Sequence, residues 1–499
     1  MFEFKKSLPY EEGVSSLSIK KALENLEENK IPMHSLLIMR HDKLIFEKYY
    51  APYDANTLHR MFSITKSFTA MAISLLAAKG QISLDESITK YFPEYTDENT
   101  HEWIKQTTIR NMLEMRTCHA ASTYKVNMAS NWVESFFTIA PTHKPGTVFH
   151  YDTSAAHVMA ALVEKLSGMK MLDYMKENFL KYLDFSKDSY IVEDPFGTSI
   201  GGSGLMATPM DILKVLYVLA KKGKVICNDG VERQLLDEGF TERATSKISD
   251  TIVTGPVLSE QQGYGMQIWQ NEQGGFVLYG MGGQLAISLP KQDMLIMTTA
   301  DTQGIGGGNQ TIYKAIYDII LPALDSKEAD DEKSDSEHAE YNELLSYADS
   351  LCIMPPKVAF QAINHDQEDY SSRDINNFYE IADNAQGFKR LRLITNVLEN
   401  KGVLFLERDN GNVYNIPFGI NNMIASEFPV YEQSCYTGST WLSNNVLYIR
   451  SHIVDECVGS VHFELYLEKE DITVFMKKIE ETYFGEFNSH LYGKLIKNN

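Results

Sequence analysis

The sequence predicts an α+β domain in its first two thirds and an all-β, barrel-like domain in the remainder. Before residue 325, apolar alternation typical of strands is mixed with apolar spacing typical of helices. After residue 340, short alternating segments recur with turn residues between them. Between the two parts, the run DSKEADDEKSDSEHAE is densely charged, as expected of a solvated linker. We therefore predict a first domain at 1–325, a linker at 326–340 and a second domain at 341–499.

The first domain is predicted to open with two strands, over 34–39 and 44–50, on either side of a turn. A helix over 63–79 follows, because apolar residues recur there at intervals of three and four and Gly80 ends the run. Another helix is predicted directly after Thr208, since Thr is a good N-cap residue and proline follows it.

Strands dominate the rest of the chain on either side of the linker. The first domain is predicted to end with strands at 264–269, 276–281, 284–289 and 294–300. The second domain is predicted to have short strands at 390–393, 403–407, 413–417, 446–449, 461–467 and 472–476. Many short strands at this spacing favour a β-barrel or a sandwich.

Composition narrows the class of partner. Hydrophobic residues make up 43% of the chain, which is enough for a sizeable core. Lys and Arg number 46 against 67 Asp and Glu, for a formal net charge of -21. Such an acidic chain is a poor match for nucleic acid, whose phosphates favour clustered Lys and Arg. We expect no nucleic-acid partner and a small-molecule or peptide substrate instead.

The start of the chain and its metal-ligating residue types carry further expectations. The opening MFEFKKSLPYEEG lacks the apolar core of a signal peptide, and no apolar run near it could span a membrane. We therefore expect a cytoplasmic protein without a membrane span. The five cysteines form no CxxC pair, and the 13 histidines form no HxH or HExxH cluster. No disulfide framework, metal or cofactor is predicted.

The pattern Ser-x-x-Lys suggests a nucleophile, but on its own it is not specific. It also occurs at Ser18, Ser87, Ser122, Ser167 and Ser288. Only the copy that begins at Ser63 opens a long apolar helix. An interval of three places Ser63 and Lys66 on one helical face, and the helix N-terminus favours developing negative charge. Apolar neighbours are expected to lower the pKa of Lys66 and so help it to take a proton. The alternative is a helix-capping serine beside a surface lysine.

Two further groups could contribute to a catalytic site. A Pro-Gly turn leads through a short extended piece to Tyr151, at the junction with an apolar helix. Such a tyrosine can point into a cleft, although a lone tyrosine is more often a packing residue. The run YGMGGQL, residues 279–285, has glycines within a predicted strand region. Glycine in a strand marks either a close approach by a ligand or another backbone, or a bulge or tight hairpin.

The order and spacing of these three groups resemble the serine β-lactamase and penicillin-binding-protein superfamily. The resemblance covers roughly residues 10–325 and is strongest to the branch of class C β-lactamases, D-Ala-D-Ala carboxypeptidases and related esterases. HSLLIMRHDKLIFEKYY and GGSGLMATPMDILK are similar to other segments of that branch. The resemblance implies a β-lactamase/transpeptidase-like domain with an antiparallel sheet flanked by helices and a helical subdomain. The C-terminal part resembles the lipocalin-like barrels appended to some members.

The resemblance also implies roles for individual residues. Ser63 would attack a carbonyl and form an acyl-enzyme, and Lys66 and Tyr151 would share the proton transfers, with the choice of general base left open. The backbone N–H groups of Ser63 and Gln284 would form the oxyanion hole. Other residues are expected to line the substrate side of the site: Gly282, Gly283, Met281 and Thr153.

Two departures from the family pattern bear on the substrate. The second motif of that branch is Tyr-x-Asn, where this chain has Thr153, and the third begins with Lys or His, where this chain has Met281. We expect a serine hydrolase that favours small neutral esters. The alternatives are a D-Ala-D-Ala carboxypeptidase or β-lactamase, or a penicillin- or peptide-binding pseudoenzyme with little turnover. No pattern in the sequence indicates an oligomeric state.

Overall fold

The computed structural model describes residues 2–324, 334–480 and 483–496. The chain forms two compact units, Met1–Leu351 and Cys352–Asn499. The first is an α+β unit and the second is a β-barrel, so the predicted fold class is confirmed. Each helix within these ranges is too short or too polar to cross a membrane.

The helices of the first unit lie along its whole length. They are α1 Ser16–Glu28, α2 Ile64–Ala78, α3 Glu102–Gln106, α4 Ile109–Leu113, α5 Trp132–Thr138, α6 Thr153–Ser167, α7 Met171–Asn178, α8 Pro209–Ala220, α9 Glu238–Ala244, α10 Gly308–Lys314 and α11 Ser334–Asp349. The helices predicted at 63–79 and after Thr208 are confirmed as α2 and α8. Thr208 caps α8 by accepting a hydrogen bond from the N–H of Asp211.

The strands of the first unit form one large sheet and two small ones. They are β1 Lys5–Lys6, β2 Met33–Arg40, β3 Lys43–Tyr49, β4 His59–Arg60, β5 Tyr190–Ile191, β6 Leu205–Ala207, β7 Lys224–Ile226, β8 Glu232–Gln234, β9 Trp269–Gln270, β10 Phe276–Gly280, β11 Gln284–Leu289 and β12 Met294–Ala300. The large sheet has the order β1-β3-β2-β12-β11-β10-β9. It is antiparallel except where β1 joins β3.

Helices cover both faces of this sheet. In β2, Leu36 and Ile38 pack in the apolar cluster that includes α1, whereas Leu37 and Met39 pack in the cluster that includes α2 and α8. This alternation is the two-residue period of a strand. Because both faces of the sheet are covered, nearly all of β2 is buried. The same packing holds α2 beside the end of β10, where the candidate site lies.

One predicted strand of the first unit is wrong. Of residues 264–269, only the last belongs to a strand, β9. Gln267 has a φ of 60°, which breaks the extended path. Its side-chain amide donates to the carbonyls of Met112 and Leu113 at 2.9 and 3.0 Å. These contacts with a segment 150 residues away hold the segment in a turn, and local alternation could not indicate them.

The division into units differs in place from the predicted ranges. Residues 326–333, the first part of the predicted linker, lie outside the described residues. Its remainder begins α11, which belongs to the first unit. There Glu343 pairs with Lys20 of α1 at 2.5 Å, and the Tyr347 hydroxyl donates to Glu27. Charged side chains along α11 therefore have partners on α1, which composition alone could not show.

The second unit is a closed barrel. Its strands are β13 Ile375–Ile381, β14 Phe388–Asn396, β15 Lys401–Arg408, β16 Val413–Ile420, β17 Met423–Phe428, β18 Gln433–Ser443, β19 Val446–Val454, β20 Val458–Leu467, β21 Asp471–Ile479 and β22 Ser489–Leu495. Strand β16 pairs in parallel with β18, which closes a ring of nine strands, and β17 lies alongside β18. The prediction of a barrel or sandwich resolves to a barrel. The lipocalin-like resemblance stays a prediction.

The six predicted strands of the barrel lie within β14, β15, β16, β19, β20 and β21, and the other strands were missed. Strand β18 shows why, because it reads QSCYTGSTWLS and carries polar side chains inward. Buried Thr437 donates to buried Ser451 at 2.9 Å, and Ser439 donates to the Gly419 carbonyl at 2.9 Å. Hydrogen bonds to the neighbouring strands β19 and β16 satisfy these hydroxyls. The inward face of β18 therefore lacks the apolar alternation that marks a buried strand.

Candidate active site

Ser63 lies at the N-terminal end of α2, directly after a residue in an unusual conformation. Phe62 has a φ of 44°, a left-handed value that is uncommon for an aromatic residue. Its carbonyl accepts a hydrogen bond from the Thr65 hydroxyl at 2.6 Å, which helps to hold the turn. The Ser63 side chain makes no capping hydrogen bond to the helix. The capping alternative therefore does not describe this serine, and its hydroxyl is available for other contacts.

Lys66 faces Ser63 from one turn along α2. Its Nζ donates to Ser63 Oγ at 2.9 Å and to the carbonyl of Gly202 at 2.8 Å. The side chain is 1% exposed, so Lys66 is not a surface lysine. The predicted pairing of the two residues on one helical face is present, at a distance suited to proton transfer.

Tyr151 completes a cluster with these two residues. The Lys66 Nζ lies 4.7 Å from the centre of the Tyr151 ring. Burial, reinforced by the charge of Glu260, raises the pKa of Tyr151, and the neighbouring Ser63 hydroxyl offsets part of that shift. A raised pKa keeps the phenol protonated at neutral pH, in the form that donates a proton. Tyr151 thus lies beside Ser63 and Lys66, as the packing-residue alternative would not require.

Aromatic side chains surround Tyr151. Its ring centre lies 5.5 Å from that of Trp269, and Tyr264 meets Trp269 edge-on at 4.9 Å. Phe149 packs on both at 5.2 and 5.9 Å. Tyr264 precedes the Gln267 turn and Trp269 follows it, so the turn brings both rings to this site. The predicted strand over 264–269 gave no indication of their contact with Tyr151.

Asp152 anchors the segment that carries Tyr151. It is fully buried and caps α6, accepting hydrogen bonds from the N–H of Ser154 at 2.9 Å and from the Thr117 hydroxyl at 3.1 Å. Burial raises the pKa of Asp152 to about 6, and these hydrogen bonds limit the shift. The predicted loop-to-helix junction is therefore present, and the cap fixes the residue next to Tyr151.

Thr153 lies behind the carbonyl that binds Lys66. Its N–H donates to the Ser122 hydroxyl at 2.9 Å. A Cβ atom on Gly202 would lie 2.3 Å from the methyl carbon of Thr153, which is closer than real contacts allow. Glycine is therefore needed at 202 to place its carbonyl against Lys66. The sequence analysis noted this glycine-rich run but gave Gly202 no role in the site.

The glycine-rich turn between β10 and β11 packs against the backbone that leads to Ser63. A Cβ atom on Gly280 would lie 2.4 Å from the carbonyl oxygen of Met61. Gly282 and Gly283 have φ values of 81° and 94°, as a tight hairpin requires. Gly280 also pairs with Gln284 across the hairpin. The two interpretations of this run, close approach and hairpin, therefore both describe it.

Gln284 and Met281 have different surroundings in this turn. The buried Gln284 side chain donates to the carbonyls of Met281 and Ala300 at 2.8 and 2.9 Å and accepts from the Ala300 N–H at 3.1 Å. Its amide therefore braces the turn, which leaves the backbone N–H as the group that could serve an oxyanion hole. Met281 is partly exposed and brings no hydrogen-bond donor in its side chain.

Glu260 is an acidic residue near this site that the sequence analysis missed. The Tyr279 hydroxyl donates to Glu260 Oε1 at 2.8 Å and accepts from Asn309 Nδ2 at 2.7 Å. Burial raises the pKa of Glu260, and the Tyr279 hydrogen bond partly offsets the shift. Glu260 ends a short 3₁₀ turn, Leu258–Glu260, in a loop with no strand or helix pattern to single it out.

Metal-ligating residue types do not group together in the described ranges, where no set of three or more His, Cys, Asp or Glu side chains could hold an ion. The absence of a metal or cofactor stays a prediction. None of the five cysteines is in a disulfide bond, and four of them are buried. Burial raises the pKa of Cys118 to about 11, which keeps it a thiol at neutral pH.

Known proteins similar to this chain match different shares of its length. Protein flp of Staphylococcus aureus (strain N315) is 25% identical over 192 residues, 35% of this chain and 38% of the relative. The chain thus matches well under half the length of that relative. The 6-aminohexanoate-dimer hydrolase of Paenarthrobacter ureafaciens is 20% identical over 285 residues, 53% of this chain and 71% of the relative.

Similarity to solved structures and to a family model points to the same fold. The crystal structure of a putative beta-lactamase from Bacteroides dorei DSM 17855 has a TM-score of 0.50 and 15% identity, covering 61% of this chain and 99% of the other. The family model described as Beta-lactamase matches residues 19–317. That match takes in more than half of the residues, including Ser63, Lys66 and Tyr151, and the chain belongs to the Beta-lactamase family.

Proposed function

We propose that this protein is a serine hydrolase that works through an acyl-enzyme on Ser63. The observation that carries the proposal is the buried hydrogen bond from Lys66 Nζ to Ser63 Oγ at 2.9 Å, with the centre of the Tyr151 ring 4.7 Å from the same Nζ. Ser63 Oγ would add to a carbonyl carbon as its proton leaves, and the leaving group would depart with a proton. Water would then cleave the acyl ester and restore the Ser63 hydroxyl.

The two partners of Ser63 differ in how readily they exchange protons. The raised pKa of Tyr151 makes its phenolate costly, so we assign it the donation of a proton to the leaving group. Lys66, in its neutral form, would take the proton from Ser63. The backbone N–H groups of Ser63 and Gln284 would stabilise the oxyanion. The packing of Gly280 on Met61, which brings their two turns together, supports this assignment.

Met281 supports a preference for substrates without a carboxylate. A Lys or His at this place in the family pattern could bind an anionic group, and Met281 cannot. A hydrogen bond to a charged group contributes about 1.5–3 kcal/mol. Its absence would lower kcat/KM for carboxylate substrates about 10- to 150-fold, at about 1.4 kcal/mol per factor of ten. We therefore favour esterase activity over D-Ala-D-Ala carboxypeptidase or β-lactamase activity.

A penicillin- or peptide-binding protein with little turnover is the second candidate function. Thr153 and Met281, the two departures from the family pattern, favour it. Thr153 directs its methyl carbon at Gly202 and offers no amide to a substrate. The two functions differ in the lifetime of the acyl adduct, which would be short for a hydrolase and long for a binding protein.

Covalent labelling with a fluorophosphonate probe tests the proposal. Intact-mass measurement should find one adduct in the wild type and none in Ser63→Ala. The matched control is Ser87→Ala, which removes the serine from an identical SITK run whose hydroxyl caps a short turn by accepting from the Thr89 N–H. Labelling that persists in Ser63→Ala contradicts the assignment. An adduct with a short neutral ester that clears within seconds supports the hydrolase, and one that persists for hours supports the binding protein.

A further inference from the structure

We propose that Glu260 binds the ammonium group of a cationic substrate, so that the preferred substrates are acyl esters or amides that carry an ammonium. The proposal rests on the proposed function, because acyl transfer at Ser63 is the reaction that the ammonium would position. It predicts that kcat/KM is highest for cationic substrates, lower for neutral ones and lowest for anionic ones. This order extends the preference inferred from Met281.

The position of Glu260 follows from its contacts. Its Oε1 accepts from the hydroxyl of Tyr279, in β10, and the next residue of that strand packs on the backbone of Met61, two residues before Ser63. The Tyr279 ring centre lies 6.2 Å from that of Trp269, which in turn lies 5.5 Å from that of Tyr151. Two aromatic rings, those of Tyr279 and Trp269, therefore connect Glu260 to the cluster of Ser63, Lys66 and Tyr151.

Glu260 lacks a cationic partner in the described part of the chain. No Lys, Arg or His there pairs with its partly buried carboxylate, whose Oε1 accepts instead from the neutral Tyr279 hydroxyl. A buried charge without a countercharge is unfavourable. An ammonium group on a bound substrate would supply that countercharge.

The neighbouring side chains suit the same ligand. The rings of Tyr151, Trp269 and Tyr279 form a continuous aromatic wall, and aromatic faces attract ammonium groups. Met281, where a Lys or His would repel a cation, is uncharged. The uncharged Met281, in place of the Lys or His of the family pattern, and the negative charge of Glu260 therefore both favour a positively charged substrate group over a negatively charged one.

A purely structural role for Glu260 gives a different expectation. Glu260 and Ser259, which contacts Gln310, tie their loop to the sheet and to α10. Loss of that anchoring would lower activity on all substrates alike. A role in binding ammonium instead changes the ratio of kcat/KM between cationic and neutral substrates, and this ratio distinguishes the two roles.

Three methyl esters of similar size provide the test. Those of β-alanine, butyric acid and succinic acid end in an ammonium, a methyl and a carboxylate respectively. At pH 7, kcat/KM for the ammonium ester should exceed that for butyrate about 10- to 100-fold, the effect of one hydrogen bond to a charged group. In Glu260→Gln, which retains an acceptor for Tyr279, that ratio should fall close to 1. The control Glu272→Gln removes an exposed negative charge from the turn before β10 and should keep the wild-type ratio.

Labelling of Ser63 separates the failure of this proposal from that of the proposed function. Propylammonium should protect Ser63 from the fluorophosphonate probe more strongly than propanol does, and Glu260→Gln should abolish the difference, even if ester turnover is slow. A wild type that is labelled but shows no preference for ammonium, or a preference that survives in Glu260→Gln, overturns the role of Glu260 alone. Absence of labelling at Ser63 overturns both proposals.

Discussion

The large sheet of the first unit and the barrel of the second are both mainly antiparallel. They differ in where regular strand pairing is interrupted. In the barrel, β18, β19 and β20 pair over eight or more positions with at most one irregularity in each pairing. In the first unit, left-handed residues interrupt the chain beside the sheet, at Phe62, Gln267 and the hairpin of Gly282 and Gly283. Each of these interruptions adjoins a residue of the candidate site.

This difference indicates how a site is built from a sheet. Regular pairing satisfies the backbone groups of a strand and leaves few of them for a ligand. A break in the pairing turns a serine, a ring or an N–H group toward a common space, and packing elsewhere holds the unusual backbone in place. The comparison predicts that substitutions at the interruptions change activity, whereas similar substitutions in the barrel do not.

The largest expected effect is that of Tyr151→Phe. General acid–base groups contribute about 10²–10⁴ in rate, so kcat for a neutral ester should fall by about that factor. Thermal unfolding should change little, since the ring and its contacts with Trp269 remain. The matched barrel control is Tyr466→Phe, which loses a hydroxyl that donates to Glu464 at the surface and should retain full activity. Near-normal turnover in Tyr151→Phe would make this tyrosine a packing residue.

Gly202→Ala should destabilise the first unit and reduce activity. The new Cβ would meet the Thr153 methyl carbon at 2.3 Å, and overpacking of this kind costs about 1–3 kcal/mol. Thr153→Ser, which removes that methyl, should restore most of the loss in the double variant. Gly485→Ala in the barrel, where nothing lies within 4 Å of the added Cβ, should leave both the Tm and the ester turnover unchanged. A Gly202→Ala protein with wild-type Tm and activity would contradict the steric account.

Asp152 should make the first unit less stable as pH rises through the mildly acidic range. Its pKa is about 6 in the folded state and near 3.8 when unfolded, so the folded state binds more protons between these values. The folded state therefore gains stability from the protonated form below about pH 4 and loses about 2–3 kcal/mol by pH 6, at 1.36 kcal/mol per pKa unit. Asp152→Asn should remove this slope in denaturant unfolding measured from pH 4 to 7. An unchanged slope would show that other groups cause it.

The smallest expected effect on activity is that of cleavage in the predicted linker. We predict that limited proteolysis cuts first within 326–340 and that a fragment ending there folds alone and keeps its ester turnover. Because α11 pairs with α1 through Glu343 and Lys20, a second fragment that ends at Leu351 serves as the control and should have the higher Tm. Cuts throughout the body before any cut in the linker, or a first unit that unfolds on release, would contradict independent folding.

Much of the fold could be predicted from the sequence because it depends on local periodicity. The alternation of β2 and β3, the apolar spacing of α2 and α8, and six of the barrel strands were apparent in windows of about ten residues. The pairing of Ser63 with Lys66 was equally local, since three residues in a helix always lie on one face.

Other features were decided by contacts between distant parts of the chain. Gly202 reaches Lys66 from 136 positions away, and Glu260 comes near Tyr151 only through Tyr279 and Trp269. The Gln267 turn and the inward hydroxyls of β18 likewise contradict their local patterns, because hydrogen bonds to remote partners outweigh weak propensities. The sequence by itself determined the contact between Ser63 and Lys66 and most of the elements. The tertiary structure decided which groups surround that pair. Those groups come from distant parts of the chain, and the packing that closes the long loops between them is not contained in any short window of sequence.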